Sequence, residues 1–280
     1  MKVGLVLEGG AMRGMFTAGV LDVFLDEQLE FDGAVTVSAG ALFGVNLPSK
    51  QRGRVLRYNK KYMNDKRFLS LKSWLTTGNL INRDFAFYEL PTIHDPFDQA
   101  TFAQSQMDFW VTLTNVETGK PEYFKVQDVF KEMELFRATS AMPFVSQFVE
   151  INGKKYLDGG IADSIPLQKC LDLGYDKIVL VLTRPLEYRK KPSSMALFKW
   201  IYRGYPHLIE RWQQRYQDYN QTVERIIQLN QAQQIFVIRP SRTIPLSRLE
   251  KNPNKLQQMY DLGVSDAQQA ISALRQYLAA

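Results

Sequence analysis

Five short runs rich in β-branched residues and leucine, Val3 to Leu7, Ala34 to Val37, Phe109 to Thr114, Ile178 to Leu182 and Ile235 to Ile238, are separated by segments with helical spacing. This alternation is the strongest constraint on the fold. Parallel strands need crossovers between them, and those crossovers are usually helices, so the pattern predicts a largely parallel sheet flanked by helices. Between the first two runs, Met15, Ala18, Gly19, Leu21, Val23 and Leu25 form an apolar side, while Asp22, Asp26 and Glu27 form a polar one. Such a segment is the crossover helix of a βαβ unit.

Asn152-Gly153 lies between Phe148-Val149-Glu150-Ile151 and Lys155-Tyr156-Leu157 and predicts a hairpin that ends directly at Asp158. One helical stretch is expected from about Ser193 to Asn230, and an amphipathic helix from about Asn254 to Leu278. No repeat, low-complexity tract or linker divides the chain.

Bulk properties exclude several classes. A chain of 280 residues, 45% of them hydrophobic, can fill a large core. No window approaches the roughly 18 uninterrupted apolar residues of a spanning helix. The start, MKVGLVLEGG, runs from a short apolar stretch into a glycine turn; it suits a buried strand and lacks the features of a signal peptide. The expected location is therefore cytoplasmic. Cys170, the single cysteine, has neither a disulfide partner nor metal-ligand spacing around it and reads as a buried packing residue. A net charge of +6 eases contact with anionic surfaces. The basic clusters Lys60, Lys61, Lys66, Arg67 and Arg184, Arg189, Lys190, Lys191 read as solvated surface. Basic and aromatic residues accompany no recognised nucleic-acid motif, so no nucleic-acid partner is read.

The chemistry concentrates at three turns. The run ending at Val37 passes into Ser38-Ala39-Gly40-Ala41, small residues at the start of a helix. A serine between strand and helix is held on a sharp turn with its hydroxyl clear of the backbone. The full pattern G-x-S-x-G here has Thr36 at its first position and Gly40 at its last, and a serine at a helix start also serves as an N-cap. The turn Gly9-Gly10-Ala11-Met12-Arg13-Gly14 leads from the first strand into a helix, and its amides can face a developing oxyanion. The competing reading is a dinucleotide-binding loop, which fits less well because the spacing is G-x-A-x-x-G and the second strand ends in Ser38 rather than an acid. Asp158-Gly159-Gly160 can project a carboxylate into a cleft, where burial makes it a better base, though the same triplet also serves as an ordinary turn.

Together these elements resemble the patatin-like phospholipase family over roughly residues 3 to 183. Gly9 to Gly14 is similar to the family's oxyanion loop G-G-G-x-[RK]-G, with Ala11 for the third glycine and Arg13 at the basic position. Ser38-Ala39-Gly40-Ala41 is similar to its nucleophile elbow, and Asp158-Gly159-Gly160 to its D-G-[GA] base motif. Ala138-Thr139-Ser140-Ala141-Met142-Pro143-Phe144 is similar to the A-[ST]-x-A-x-P segment that precedes the base. Thr36 and Ala11 depart from the pattern. The resemblance implies a three-layer α/β/α sandwich, a Ser38–Asp158 dyad without histidine, an oxyanion hole from Gly9, Gly10, Ala11, Arg13 and Gly14, and no metal or organic cofactor. It further implies a patatin-like catalytic domain over 1–183, with 184–280 as a helical extension carrying one further strand on the same domain.

The expected activity is hydrolysis of lipid acyl esters as a phospholipase A, lysophospholipase or esterase. One alternative mechanism is a Ser38–Asp158–His207 triad in the chain order of the α/β-hydrolases. Another reading is a weak or inactive lipid-binding or scaffolding protein of the same fold. Met195 to Tyr205 interleaves aromatics with cations, a composition that suits a lipid interface as well as a core. It raises the expectation of peripheral contact with an anionic membrane surface, at the inner face.

Overall fold

A computed structural model describes residues 1–280. The chain opens with β1 (Val3–Leu7), a single 3-10 turn (Ala11–Gly14) and α1 (Met15–Asp26), then β2 (Gly33–Val37) and α2 (Ala39–Gly44). Next come α3 (Arg54–Tyr62), α4 (Leu71–Thr77), a π-helical segment (Asp84–His94), α5 (Gln99–Gln104), β3 (Asp108–Asn115), β4 (Pro121–Val126) and α6 (Met133–Thr139). The hairpin β5 (Val149–Ile151) and β6 (Lys154–Asp158) precedes α7 (Leu167–Asp172) and β7 (Lys177–Val181). The chain finishes with α8 (Ala196–Ile201), α9 (Pro206–Gln231), β8 (Phe236–Ile238) and α10 (Pro253–Ala279).

The eight strands form one sheet in the order β5-β6-β3-β2-β1-β7-β8, with β4 beside β3. β3, β2, β1, β7 and β8 run parallel; β4, β5 and β6 pair antiparallel. Helices cover both faces, which makes a three-layer α/β/α sandwich. Leu5, Leu7, Ala34, Phe109, Val179 and Val181 point to the layer of α1, α2 and α10. Val6, Val35, Ile178 and Leu180 point to α7 and α9, against Leu167, Tyr219, Val223 and Ile226. The strands therefore keep period 2 although both sides are buried, and each fully buried Leu or Phe contributes about 1.5–3 kcal/mol.

Three features differ from the sequence reading. The stretch 193–230 is two helices rather than one, because Tyr205, placed before Pro206, leaves the helical region (φ −128°, ψ 74°) and α9 restarts with proline at its first position. Asp22 does not sit on a solvated side of α1. It is buried, accepting from Tyr260 Oη at 2.6 Å and from the Gly53 amide at 2.9 Å. This follows from α10, which packs on α1 and buries it from Met15 to Phe24, leaving only the last turn at Asp26 open to water; a Cβ on Gly19 would meet the Tyr260 carbonyl, and one on Gly263 the Phe16 carbonyl. Third, β4 was not among the expected strands, since Pro121-Glu122-Tyr123-Phe124-Lys125-Val126 has no clean alternation.

The placement of β6 determines the site. β2 pairs with β3 up to Val37↔Thr112, and β4 holds the opposite edge of β3 through Thr114↔Pro121. β6 pairs from Leu113↔Asp158 onward, so it takes the edge that β2 has just left. Ser38, following β2, and Asp158, ending β6, meet end to end against one strand.

Candidate active site

Ser38 has φ 54° and ψ −125°, a conformation that L-residues avoid and that persists only where the surroundings impose it. They do so in two ways. The Ser38 amide donates to Thr139 Oγ1 at 2.8 Å, and that hydroxyl donates to the Thr112 carbonyl at 2.7 Å, which ties the turn to β3. Gly40 lets α2 lie on the end of β1, where a Cβ would stand 2.5 Å from the Leu7 carbonyl oxygen and 2.9 Å from that of Glu8. Thr36 is fully buried and its hydroxyl donates to the Trp110 carbonyl at 2.7 Å, so its side chain is satisfied against β3.

Ser38 Oγ donates to Asp158 Oδ2 at 2.8 Å. The other carboxylate oxygen, Oδ1, accepts the Gly160 amide at 2.7 Å. The Asp158 backbone is held at both ends, its amide on the Ala141 carbonyl at 2.9 Å and its carbonyl on Thr114 Oγ1 at 2.8 Å. Burial raises the Asp158 pKa; the Gly160 amide, Ser38, Arg215 and Arg248 act in the opposite direction. A carboxylate made more basic and bonded to a hydroxyl is placed to accept its proton.

The glycine loop is not uniform. The Gly9 amide is taken by the Ser164 carbonyl at 3.2 Å and the Arg13 amide by the Gly10 carbonyl at 3.2 Å. The amides of Gly10 and Ala11 have no acceptor in the chain. Ala11 itself has φ 48°, the conformation for which glycine is the default. Gly14 is buried against Phe43, and the Arg13 side chain lines a cavity. Gly159 packs against the Thr112 carbonyl where β6 meets β3.

Two cavities meet at Ser38. One, of about 130 Å³, is walled mostly by apolar side chains including Leu42, Phe87, Leu90, Phe97 and Met133. The other, of about 670 Å³, is walled by polar and charged groups. Ala11, Ser38, Met142 and Arg248 belong to both. The cluster Arg184, Arg189, Lys190 and Lys191 lines this second cavity, which corrects its reading as plain solvated surface. Arg13, Arg215 and Arg248 line the same cavity. The cluster at Lys60, Lys61, Lys66 and Arg67 is on the exposed surface.

Neither histidine joins the site. His94 packs against Phe85 with the rings tilted and their centroids 5.1 Å apart, and it approaches Glu89 at 3.8 Å. His207 lies in the first turn of α9 beside Gly119 and lines neither cavity. Ser38, Asp158 and His207 therefore do not assemble as a triad.

Residues 5–171 match the family described as Patatin-like phospholipase, and residues 205–279 match one described as Domain of unknown function (DUF6363). "Uncharacterized protein YjjU" of Escherichia coli is 30% identical over 238 residues, which cover 80% of this chain and 65% of that protein. "Lysophospholipase nte1" of Aspergillus terreus is 26% identical over 189 residues, covering 64% of this chain and 12% of that protein. The chain thus spans less than two thirds of the first relative and a small part of the second. The crystal structure of VipD from Legionella pneumophila aligns over 97% of this chain and 67% of its own at 11% identity, with a TM-score of 0.46.

Proposed function

The chain belongs to the patatin-like phospholipase family, and from that premise we propose that it is a serine hydrolase of lipid acyl esters working through a Ser38–Asp158 dyad. The observation that carries the proposal is the 2.8 Å hydrogen bond from Ser38 Oγ to Asp158 Oδ2 on a strained turn that opens into both cavities.

Ser38 attacks the ester carbonyl as Asp158 takes its proton. The unpaired amides of Gly10 and Ala11 receive the negative charge of the tetrahedral intermediate, a role in which a single donor is worth ~10²–10³ in rate. The leaving alcohol takes the proton back from Asp158. Water, activated by the same carboxylate, then releases the acyl group. The apolar cavity suits the acyl chain and the polar cavity the alcohol part. Because the Thr36 hydroxyl is satisfied between strands, the departure there weighs less for an inactive lipid-binding protein than the motif alone implied.

No helix is long and apolar enough to cross a membrane. Six of the ten large exposed apolar side chains nevertheless sit on two short helices, Leu71, Trp74 and Leu75 on α4 and Leu197, Trp200 and Ile201 on α8. Trp74 Nε1 donates to the Phe144 carbonyl at 3.2 Å, and Phe144 meets Phe198 edge to face, which sets the two helices side by side next to Met142 and Pro143 at the polar cavity. A patch of this kind beside a lipid-cleaving site fits a face that rests on a membrane surface, with Lys72 and Lys199 available to anionic lipids.

The deciding experiment is labelling by a fluorophosphonate and turnover of a p-nitrophenyl ester. Both are expected from the parent protein and neither from a folded Ser38→Ala variant; equal labelling of the two would remove Ser38 from the chemistry.

A further inference from the structure

The polar cavity beside Ser38 is cationic in an unusual way. Seven Arg and Lys residues line it against three carboxylates, Glu8, Asp158 and Glu187. Arg189 is spoken for by Glu224 at 2.6 Å. Arg13, Arg184, Lys190 and Arg215 are half-buried, Arg248 stands at the rim, and none of the five forms an ion pair. Glu8, the buried acid among the walls, accepts the Thr183 amide at 2.5 Å and Tyr219 Oη at 2.9 Å; it forms an ion pair with none of the five and offsets only part of their charge.

The same walls hold buried donors without acceptors. Arg13 Nε, Arg184 Nε and Trp212 Nε1 have no hydrogen-bond partner in the chain. These three atoms are covered by protein, so what an occupant can reach are the terminal guanidinium nitrogens of Arg13 and Arg184, which make no hydrogen bond in the chain and stay accessible in the cavity wall. Burial and the charges of Arg215, Arg13 and Arg248, partly offset by Glu8, hold Lys190 well below the ordinary lysine value, a crowding that an anion would relieve. Arg215 is already oriented, its Nε donating to the Gly160 carbonyl at 2.5 Å, so its guanidinium is fixed two residues from the proposed base.

The cavity also carries aromatic rings, the surfaces that would receive a quaternary ammonium. Each is covered by one of the protein's own basic side chains. Arg184 lies over Tyr188 at 4.1 Å, Lys190 over Tyr219 at 4.0 Å and Arg215 over Trp212 at 5.4 Å. A choline head group would have to displace them, whereas a phosphate meets them directly.

We infer that this cavity is a subsite for the phosphate of an anionic lipid head group, so that the ester cleaved is carried by a phosphate-bearing lipid of net negative charge. The inference rests on the hydrolase reading of Ser38 and deepens it. With the carbonyl at Ser38 and the acyl chain in the apolar cavity, a glycerophosphate leaving group lies between Lys190, Arg215, Arg184 and Arg248. An inorganic phosphate offers the same oxygens without the acyl anchor, and the experiment separates the two.

The test compares kcat/KM for 1-acylglycerol 3-phosphate, the matching 1-acylglycerol and the matching 1-acylglycerophosphocholine. The phosphate monoester is expected to be preferred by about tenfold or more, the worth of a charge-assisted contact. Lys190→Gln and Arg248→Gln should each shrink that ratio several-fold, and Lys190→Arg should restore it. Equal kcat/KM for the three lipids, or a ratio that the variants leave untouched, overturns the subsite. A binding arm is independent of turnover: the Ser38→Ala protein should bind the ether analogue 1-alkylglycerol 3-phosphate, and Lys190→Gln in that background should weaken it. Binding of inorganic phosphate as tight as that of the ether lipid would overturn a lipid head group as the occupant. Absence of any ester turnover together with retained, Lys190-dependent binding would sink the hydrolase reading while leaving the subsite standing.

Discussion

The Ser38 amide and Thr139 Oγ1 are joined at 2.8 Å, and the same hydroxyl reaches on to the Thr112 carbonyl at 2.7 Å. One buried threonine therefore clamps the strained turn to the central strand. Thr139→Val keeps the shape and leaves an amide and a carbonyl unmet, which should cost about 1–3 kcal/mol in denaturant unfolding. Turnover of a short ester should fall mainly in kcat, and Thr139→Ser should recover both quantities. A Thr139→Val protein with unchanged kcat would show that the turn holds its shape without the clamp.

Ala11 occupies a left-handed conformation that costs an L-residue roughly 1–2 kcal/mol, partly offset in glycine by its greater loss of entropy. Ala11→Gly should therefore raise stability by about 0.5–1 kcal/mol, while Ala11→Val, β-branched at the same φ, should lower it. Paired thermal melts read the difference. A less stable Ala11→Gly would mean that the methyl packs usefully in spite of the backbone.

Burial raises Asp158 above the ordinary carboxylate value of about 3.9. The base acts unprotonated, so kcat/KM should fall as pH drops through this raised pKa, earlier than an exposed aspartate would dictate. Stability has the opposite sign. A raised folded-state pKa means that the folded protein holds the proton more tightly than the unfolded chain, so this group's contribution is full below the unfolded pKa and is lost as pH rises through the folded one. Asp158→Asn should accordingly melt higher than the parent at about pH 8, with the gap closing in acid, while turnover drops ~10²–10⁴-fold. No gain in melting temperature at alkaline pH would count against a buried, charged base.

The exposed side chains of α4 and α8 supply a fourth expectation. Leu75 is 76% and Trp200 67% exposed, and burying each at a lipid surface is worth about 1.5–3 kcal/mol. The double variant Leu75→Asp with Trp200→Asp, checked for folding by circular dichroism, should lose flotation with liposomes containing anionic lipid. Retained flotation would move the contact to another face.

We further propose that residues 184–280 complete one folding unit with 1–183. Leu256, Met259, Leu262, Ala267 and Leu274 of α10 are buried, with α10 packed on α1, and Arg215 of α9 bonds the carbonyl of Gly160. Truncation after residue 183 should give an insoluble or molten product, and Gly263→Leu, forced against the Phe16 carbonyl, should cost about 1–3 kcal/mol or more. A truncated protein that folds cooperatively would separate the two parts.

The strands around Ser38 were legible because a sheet buried on both faces writes its apolar runs into contiguous residues. The three turns were legible because backbone geometry there selects small residues: Gly40 under the Leu7 carbonyl, and Gly159 beside that of Thr112. Asp22 misled because a carboxylate on a helix signals solvent unless a partner such as Tyr260, distant in sequence, covers it. The cationic cavity was hidden for the same reason. Lys190, Arg215 and Arg248 come from three separate segments and each alone reads as an ordinary surface charge, while Arg13 reads only as part of the glycine loop. Thr139 lay inside a recognised segment, but its role needed Ser38 and Thr112 to be seen together.

β2 and β6 share one edge of β3, arriving from opposite directions and stopping at neighbouring residues, Thr112 and Leu113. The gap between hydroxyl and carboxylate is thus gauged first by the backbone of a single strand, whose rise is about 3.3 Å per residue, with Thr139 and Ala141 of one neighbouring segment pinning its two ends. Side chains that choose the substrate hang on other segments. They are free to vary, by drift or by engineering, without retuning the distance over which the proton travels.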